Sequence, residues 1–158
     1  MIAVSAALFI SGIGFIVAGA RTAQQASATP AAAAVTLTPV ASVKQIMNGI
    51  VGPSSTVIYD SVGTNITAAG VEDIAPKDDA EWARVADNAA ALAEAGNMML
   101  VDGRAVDKGD WVQMSHEMIE GAKLALAAAT GKNTEGILNA GSKINDTCDK
   151  CHARYQRQ

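Results

Sequence analysis

The sequence predicts an all-α protein, an antiparallel up-down-up-down four-helix bundle over residues 41–158. In four segments, apolar residues recur at spacings of three and four, the pattern of an amphipathic helix. Capping residues, glycines and prolines separate these segments by mostly short connections, which favour antiparallel neighbours. No segment shows the alternation of apolar and polar residues expected of a strand.

The first predicted helix begins near Thr38 and Pro39, which suit an N-cap and a first helical position. Gly52-Pro53 is expected to kink or interrupt this helix, which then resumes as far as Gly63. The residues from 64 to 77 are predicted to form a loop. The apolar stripe of the first half comprises Val43, Ile46, Met47, Ile50 and Val51.

The second predicted helix begins at Asp78 and runs to about Leu100. Glu81, three residues after Asp78, completes the pattern of a capping box. The third helix begins in the same way at Asp110, with Gln113 as its partner, and runs to residue 131. The fourth has Asn133 as its N-cap and continues to the C-terminal cysteines.

That last predicted helix carries the run Cys148-Asp149-Lys150-Cys151-His152, the C-x-x-C-H pattern that attaches a c-type haem. Residues three and four apart share one face of a helix, so two thiols and an imidazole would point the same way. The chain has only two cysteines and two histidines, and the motif uses three of these four residues. We therefore predict one covalent haem c, with thioethers at Cys148 and Cys151 and His152 as the proximal iron ligand.

Three alternatives compete with haem attachment. A structural zinc site would need four ligands, and the available set is Cys148, Cys151, His152 and the remote His116. A thioredoxin-like redox pair would sit at the start of a helix in a βαβ unit, whereas this motif lies at the end of a helical chain. The third alternative is a simple disulfide. We prefer the haem interpretation.

The N-terminus predicts export. Residues 1–20 carry no charged side chain and are mostly apolar, which fits a signal peptide or a membrane anchor. Residues 21–40 are rich in Ala, Thr, Gln and Pro and are interpreted as a linker. Residues 41–158 then form the haem domain. The expected location is the periplasm, either soluble or tethered to the inner membrane through residues 2–20.

Composition limits the choice of partner and cofactor. The net charge is −4, and no basic stripe with interleaved aromatic residues suggests a nucleic-acid partner. Aromatic residues make up only 4% of the chain, which is little for a core of this size. A buried haem would supply the missing flat apolar bulk, so we expect the fold to depend on it.

A four-helix bundle with C-x-x-C-H on its last helix resembles cytochrome c-prime and its low-spin relatives. The resemblance covers residues 41–158 and includes Tyr155, three residues after His152, and the string on the third helix from Trp111 to Ala-Ala-Ala-Thr-Gly-Lys. The family usually has Arg at the position of Gln156, so the electrostatic tuning of the iron differs here. The resemblance also implies a homodimer formed through the first two helices.

The resemblance implies a sixth iron ligand on the first helix. The low-spin relatives have Met there, in a stretch that Lys44-Gln45-Ile46-Met47 resembles. Met47 is therefore the candidate distal ligand, and His/Met ligation suits electron transfer. In the alternative, Met47 is a core residue, and Ile50 shields an open iron as an apolar residue does in gas-binding members.

The expected function is one-electron transfer in the periplasm with a periplasmic or membrane redox protein, not enzymatic catalysis. The alternatives are a five-coordinate haem that binds NO or CO for sensing or detoxification, and a haem subunit of a larger complex. A basic rim near the motif would attract an acidic partner. That rim comprises Lys143, Lys150, Arg154 and Arg157.

The remaining distinctive residues are expected to serve structure. His116 is predicted to be exposed rather than a ligand. Core packing is predicted for two groups, the tryptophans Trp82 and Trp111 and the methionines Met98, Met99, Met114 and Met118.

Overall fold

The computed structural model describes residues 37–156, and this part of the chain is mostly helical with a small two-stranded sheet. We number the elements in chain order. They are α1 (Val43–Ile46), a π-helical stretch (Met47–Val51), α2 (Gly52–Asp60), β1 (Gly63–Thr67), β2 (Gly70–Ile74), α3 (Asp79–Met99), α4 (Asp110–Thr130) and α5 (Thr134–Tyr155).

The first helix begins later than predicted. Its N-cap is Ser42 rather than Thr38, because Ser42 and Gln45 form a complete capping box. The Ser42 hydroxyl accepts a hydrogen bond from the Gln45 amide at 3.3 Å, and the Gln45 side chain accepts one from the Ser42 amide at 2.9 Å. Two otherwise unpaired backbone donors are thereby satisfied, which Thr38-Pro39 could not achieve.

Gly52-Pro53 does not interrupt the helix, contrary to the prediction. Pro53 lies in the first turn of α2 and has no N–H to donate to the preceding turn. The irregularity lies just before it, where the Gly52 amide bonds to the Met47 carbonyl in the i→i+5 pattern of a π-helix. A Cβ at Gly52 would stand 3.1 Å from that carbonyl oxygen, so glycine suits this close approach.

Residues 64–77 are not a plain loop, because β1 and β2 pair in an antiparallel hairpin in which Ile66 lies opposite Val71. Gly70 permits the turn with a φ of 137°. The hairpin is exposed along nearly its whole length, Ile66 to 76% and Val71 to 70%. Since neither face is buried, no alternating pattern marked these strands in the sequence.

The starts of the three long helices agree largely with the sequence. Asp78 caps α3 by accepting a hydrogen bond from the Glu81 amide at 2.9 Å, and Asn133 caps α5 through the Gly136 amide at 2.9 Å. The predicted partner of Asp110 is wrong, however. The N-cap of α4 is Gly109, and the side chain that binds the first amides of α4 comes from Asp107.

The core lies among the helices. α4 packs against both α3 and α5, and α2 contacts α3 and α5. Small residues permit these approaches, since a Cβ at Gly96 would stand 2.3 Å from Ile119 Cγ1 of α4. The largest fully buried side chains are those of Ile58, Val85, Leu92, Ile137 and Ile144.

The predicted leader, residues 1–20, and most of the predicted linker lie outside the described residues. Among residues 37–156, no helix is both long enough and apolar enough to cross a membrane.

Candidate functional site

A cleft runs between α5, α4 and the π-helical stretch. Its wide part has a volume of about 740 Å³ and is lined by residues of α5 and of the first helical region, which comprises α1, the π-helical stretch and α2 (residues 43–60). Its narrow part continues inward between α4 and the end of α3. The residues that line both parts are Met47, Val51, Trp111, Cys148, Cys151 and His152.

All four residues that the sequence selected as ligands or attachment points line this cleft. Cys148 and Cys151 are half-buried, His152 is exposed, and Met47 on the first helical region is half-buried. The two thiols and the imidazole therefore share one side of α5, as their spacing predicts. Met47 lies at the other end of the described chain and reaches the same cleft through the packing of the helices.

The thiols of the motif do not have the character of a redox dithiol. Both cysteines are free. Burial raises the pKa of Cys148 above its usual value, and the neighbouring Cys151 and Asp149 raise it further. Burial also raises the pKa of Cys151. Reactive dithiols depend on a lowered pKa, so the structure gives no support to the thioredoxin-like alternative.

Four methionines border the cleft. Met99 and Met118 are buried, as predicted for core residues, and Met114 is half-buried. All three line only the narrow part, whereas Met47 also lines the wide part, where α5 presents Asn145 and Asp149. Met98, in contrast, is 38% exposed and does not line the cleft, so its predicted core role is wrong.

The π-helical stretch determines which residues accompany Met47. In an α-helix its neighbours on the same face would be Ile50 and Val51, three and four residues on. With the i→i+5 hydrogen bond, the residues on the same face as Met47 are instead four and five positions on. Val51 and Gly52 accordingly line the cleft, and Ile50 does not. Val51, and not Ile50, thus lines the cleft beside Met47.

Two aromatic residues form one side of the cleft near His152. Trp111 is buried, as predicted, and its indole N–H donates to the Met99 carbonyl at 2.9 Å. Its ring meets the Tyr155 ring edge to face, with 5.2 Å between centroids. Trp82 is buried too, but it does not line the cleft.

Tyr59, which the sequence offered as a candidate for a hydrogen bond near the haem edge, lies beside Cys148. Burial, together with the neighbouring Cys148 and Asp149, raises the pKa of Tyr59 to about 12. Its phenol is therefore neutral at physiological pH. Asn48, Ser55 and Asn145 add further polar atoms to the wide part of the cleft.

Gln156, just after α5, and the basic residues of α5 lie in different surroundings. Gln156, at the position where the resemblance expects Arg, lines the wide part of the cleft. Arg154 points elsewhere and forms an ion pair with Asp110 at 2.6 Å. Lys143 and Lys150 are exposed, as a docking rim requires, and Arg157 lies outside the described residues.

The remaining histidine takes no part in this cleft. His116 is exposed on α4, as predicted. Within residues 37–156, no three His, Cys, Asp or Glu side chains gather closely enough to hold a metal ion.

The cleft fits a haem in size and in chemistry. Cofactor sites typically occupy about 300–1,000 Å³ and are lined mainly by apolar and aromatic side chains. The wide part lies in that range, and the narrow part is lined mostly by methionines, Val51 and Trp111. The donors are two thiols, one imidazole and one thioether, a set that matches covalent attachment and His/Met ligation.

Comparison of the chain with protein-family models, with curated proteins and with solved structures gave no match.

Proposed function

We propose that this protein is a c-type haem protein that transfers single electrons. One observation carries the proposal: the C-x-x-C-H residues of α5 and Met47 of the first helical region line the same cleft. The motif itself is the attachment signature for haem c. The family proposed on this basis is that of cytochrome c-prime, with this chain closest in kind to its low-spin members.

The proposed architecture is an antiparallel up-down-up-down four-helix bundle. The first helical region, residues 43–60, would be its first member, followed by α3, α4 and α5. Extensive contact between α4 and each of α3 and α5 supports this arrangement. Only residues 131–133 connect α4 to α5, and so short a connection favours a reversal of direction.

The thiols of Cys148 and Cys151 would bind the cofactor covalently. Each thiol adds across one vinyl double bond: its sulfur forms a C–S bond to one vinyl carbon, and its hydrogen goes to the other. No atom is lost and no oxidant is consumed. The raised pKa of both thiols keeps them protonated before attachment, which agrees with free cysteines awaiting ligation.

His152 and Met47 would hold the iron from two sides. When bound, the haem supplies an iron centre that accepts one electron from a reduced redox protein and passes it to an oxidised one. A soft thioether opposite an imidazole favours a raised potential and reversible transfer. His152 is exposed at the mouth of the cleft, which suits exchange with a partner protein.

The proposed setting is the periplasm. Haem attachment requires free thiols, and the machinery that performs it works outside the bacterial cytoplasm. The partner would be a periplasmic or membrane redox protein. The proposed role is that of a carrier rather than an enzyme. Lys143 and Lys150 are exposed members of the rim through which an acidic partner would dock.

A second candidate function is the binding of NO or CO by a five-coordinate haem. One observation favours it: the narrow part of the cleft is lined by Val51, Met118 and other apolar side chains, which would hold a small apolar gas. In this case Met47 packs in the wall of the cleft and leaves the iron open.

Optical spectra of the purified protein, oxidised and reduced, with and without CO, separate these functions. Electron transfer predicts a low-spin spectrum that CO does not change. A high-spin protein that takes up CO readily would support gas binding instead. Haem staining after denaturing electrophoresis tests the covalent cofactor that both functions require.

A further inference from the structure

The segment that connects α3 to α4, residues 100–109, forms side-chain hydrogen bonds on both sides of the cleft. Arg104 binds Ala41, just before the first helical region, and Asp107 binds Tyr155 at the end of α5. Arg104 and Asp107 are both half-buried. One short segment is therefore attached to both helices that carry candidate iron ligands.

The Arg104 guanidinium joins two helix ends. Its Nε and Nη2 donate to the Ala41 carbonyl at 3.3 and 3.2 Å, and its Nη1 donates to the Met98 carbonyl near the end of α3. Hydrogen bonds from a charged donor are stronger than neutral ones. Ala41 directly precedes Ser42, the N-cap of α1. The contact with Arg104 therefore holds the chain in place at the start of the helix that carries Met47.

The Asp107 carboxylate joins the start of α4 to the end of α5. Its Oδ1 accepts from the Gly109 and Trp111 amides at 2.8 and 3.1 Å. Its Oδ2 accepts from the Tyr155 hydroxyl. Tyr155 follows His152 by three residues and therefore lies on the same side of α5.

Further contacts fix the Tyr155 side chain. The Arg154 Nε donates to its hydroxyl at 3.1 Å, and Arg154 is in turn paired with Asp110. The ring of Tyr155 rests against that of Trp111, which lines the cleft. The last turn of α5 would otherwise be free to fray, as helix ends do.

We propose that residues 100–109 act as a brace that orients His152 and Met47 in the cleft, with Asp107 and Arg104 as positioning residues. The inference rests on the proposed function. Neither residue lines the cleft, so each acts through another, Asp107 through Tyr155 and Arg104 through Ala41. Groups that orient metal ligands also tune the metal, so the brace should set the iron's potential.

The test uses the full chain, matured with haem, as wild type and as Asp107→Asn, Tyr155→Phe and Arg104→Gln. Tyr155→Phe keeps the ring against Trp111 and removes only the hydroxyl. Asp102→Asn, an exposed residue of the same segment, is the matched control. Two properties are measured: amide hydrogen exchange at residues 42–47 and 148–155, and the midpoint potential of the iron.

We expect Asp107→Asn and Tyr155→Phe to speed exchange at residues 148–155 on the order of tenfold, as loss of a hydrogen bond to a charged group predicts. Arg104→Gln should act in the same way at residues 42–47. All three variants should shift the midpoint potential beyond the change seen in Asp102→Asn.

The proposed role of the brace is wrong if amide hydrogen exchange in these variants matches that of Asp102→Asn. It is equally wrong if exchange rises while the potential stays at the wild-type value, because the contacts would then support the fold alone. A wild-type protein without haem staining would instead overturn the proposed function and the brace with it. A wild type that stains normally, with variants that behave like the control, would overturn only the brace.

Discussion

Met47 and His152 line one cleft although they lie near opposite ends of the described chain. Met47 reaches it from a π-helical stretch and His152 from the last turn of α5. A thioether and an imidazole on two different helices thus face the same space, as the proposed His/Met ligation requires.

Both cysteines should be needed for full haem attachment. In Cys148→Ala or Cys151→Ala one thioether is lost, so we expect haem staining after denaturing electrophoresis to fall strongly, and to vanish in the double variant. Lys150→Ala, which changes an exposed residue between them, is the control and should stain like the wild type. Undiminished staining in the double variant would contradict covalent attachment.

Met47→Ala should convert a low-spin haem to a high-spin one that binds CO, because the iron loses its sixth ligand. Absorption spectra with and without CO measure this change. Met114→Ala, which removes a thioether from the narrow part of the same cleft, should leave the spectrum low-spin. A high-spin wild type would show that Met47 is not a ligand and would favour the gas-binding function.

The protein without haem should be loosely packed. The cleft lies against the core and the chain has few aromatic residues to fill it, so the cofactor contributes much of the buried apolar surface. A group bound only in the native state stabilises that state. Calorimetry of the Cys148→Ala/Cys151→Ala variant should give a broad, weakly cooperative transition. A sharp transition at the temperature of the haem-bound wild type would refute this expectation.

Asp107 should contribute stability that is lost in acid. Hydrogen bonds from Tyr155 and from the Trp111 amide lower its pKa below the usual 3.8. A carboxyl whose folded pKa is depressed stabilises the native state above its unfolded pKa. That contribution disappears as the pH falls from about 4 through the lower folded value.

Urea titrations of wild type and Asp107→Asn from neutral pH to pH 3 test this. The difference in free energy of unfolding should be largest at neutral pH and should shrink below about pH 4. Asp79 and Glu120 also have lowered pKa values, but they are present in both proteins and cancel in the difference. A difference that is constant with pH would show that Asp107 does not titrate in this way.

Gly96→Ala should destabilise the packing of α3 on α4. A Cβ there would lie 2.3 Å from Ile119 Cγ1 and 3.3 Å from the Ser115 carbonyl oxygen. Overpacking of this kind costs about 1–3 kcal/mol, which outweighs the roughly 1 kcal/mol that alanine gains over glycine in a helix. Denaturant unfolding measures the net loss.

Gly49→Ala is the matched control, because a Cβ there meets nothing within 4 Å. It should be neutral or slightly stabilising. The Gly96→Ala penalty should also shrink in an Ile119→Ala background, since the crowding side chain is then gone. An equal penalty in both backgrounds would rule out this steric explanation.

Local signals in the sequence predicted much of the helical structure. Asp78 and Asn133 cap helices through residues three positions away, so the interaction is visible in a short window. The attachment motif is equally local, since its residues span one helical turn. These features depend on contacts within one element, and their positions in the structure match the prediction.

Features that depend on tertiary contacts could not be predicted in this way. The role of Asp107 depends on Tyr155, which is distant in the sequence. The hairpin has no buried face that would impose an alternation of apolar and polar residues. The π-helical stretch is invisible because Ile50 and Val51 suit an α-helix equally well. Only the folded chain shows that Val51 lines the cleft.

The π-helical stretch also sets the helical phase between Met47 and the residues that follow it. Its wider turn holds one residue more than an α-helical turn would. Ile58 anchors α2 in the core, and deleting Gly49 would place Val51 and Gly52 three and four residues after Met47, the spacing that an α-helix puts on one face. The shortened chain would then form a regular α-helical turn, with Met47 still on the side of the helix that faces the cleft, so the stretch tolerates the loss of one residue where an ordinary helix would not.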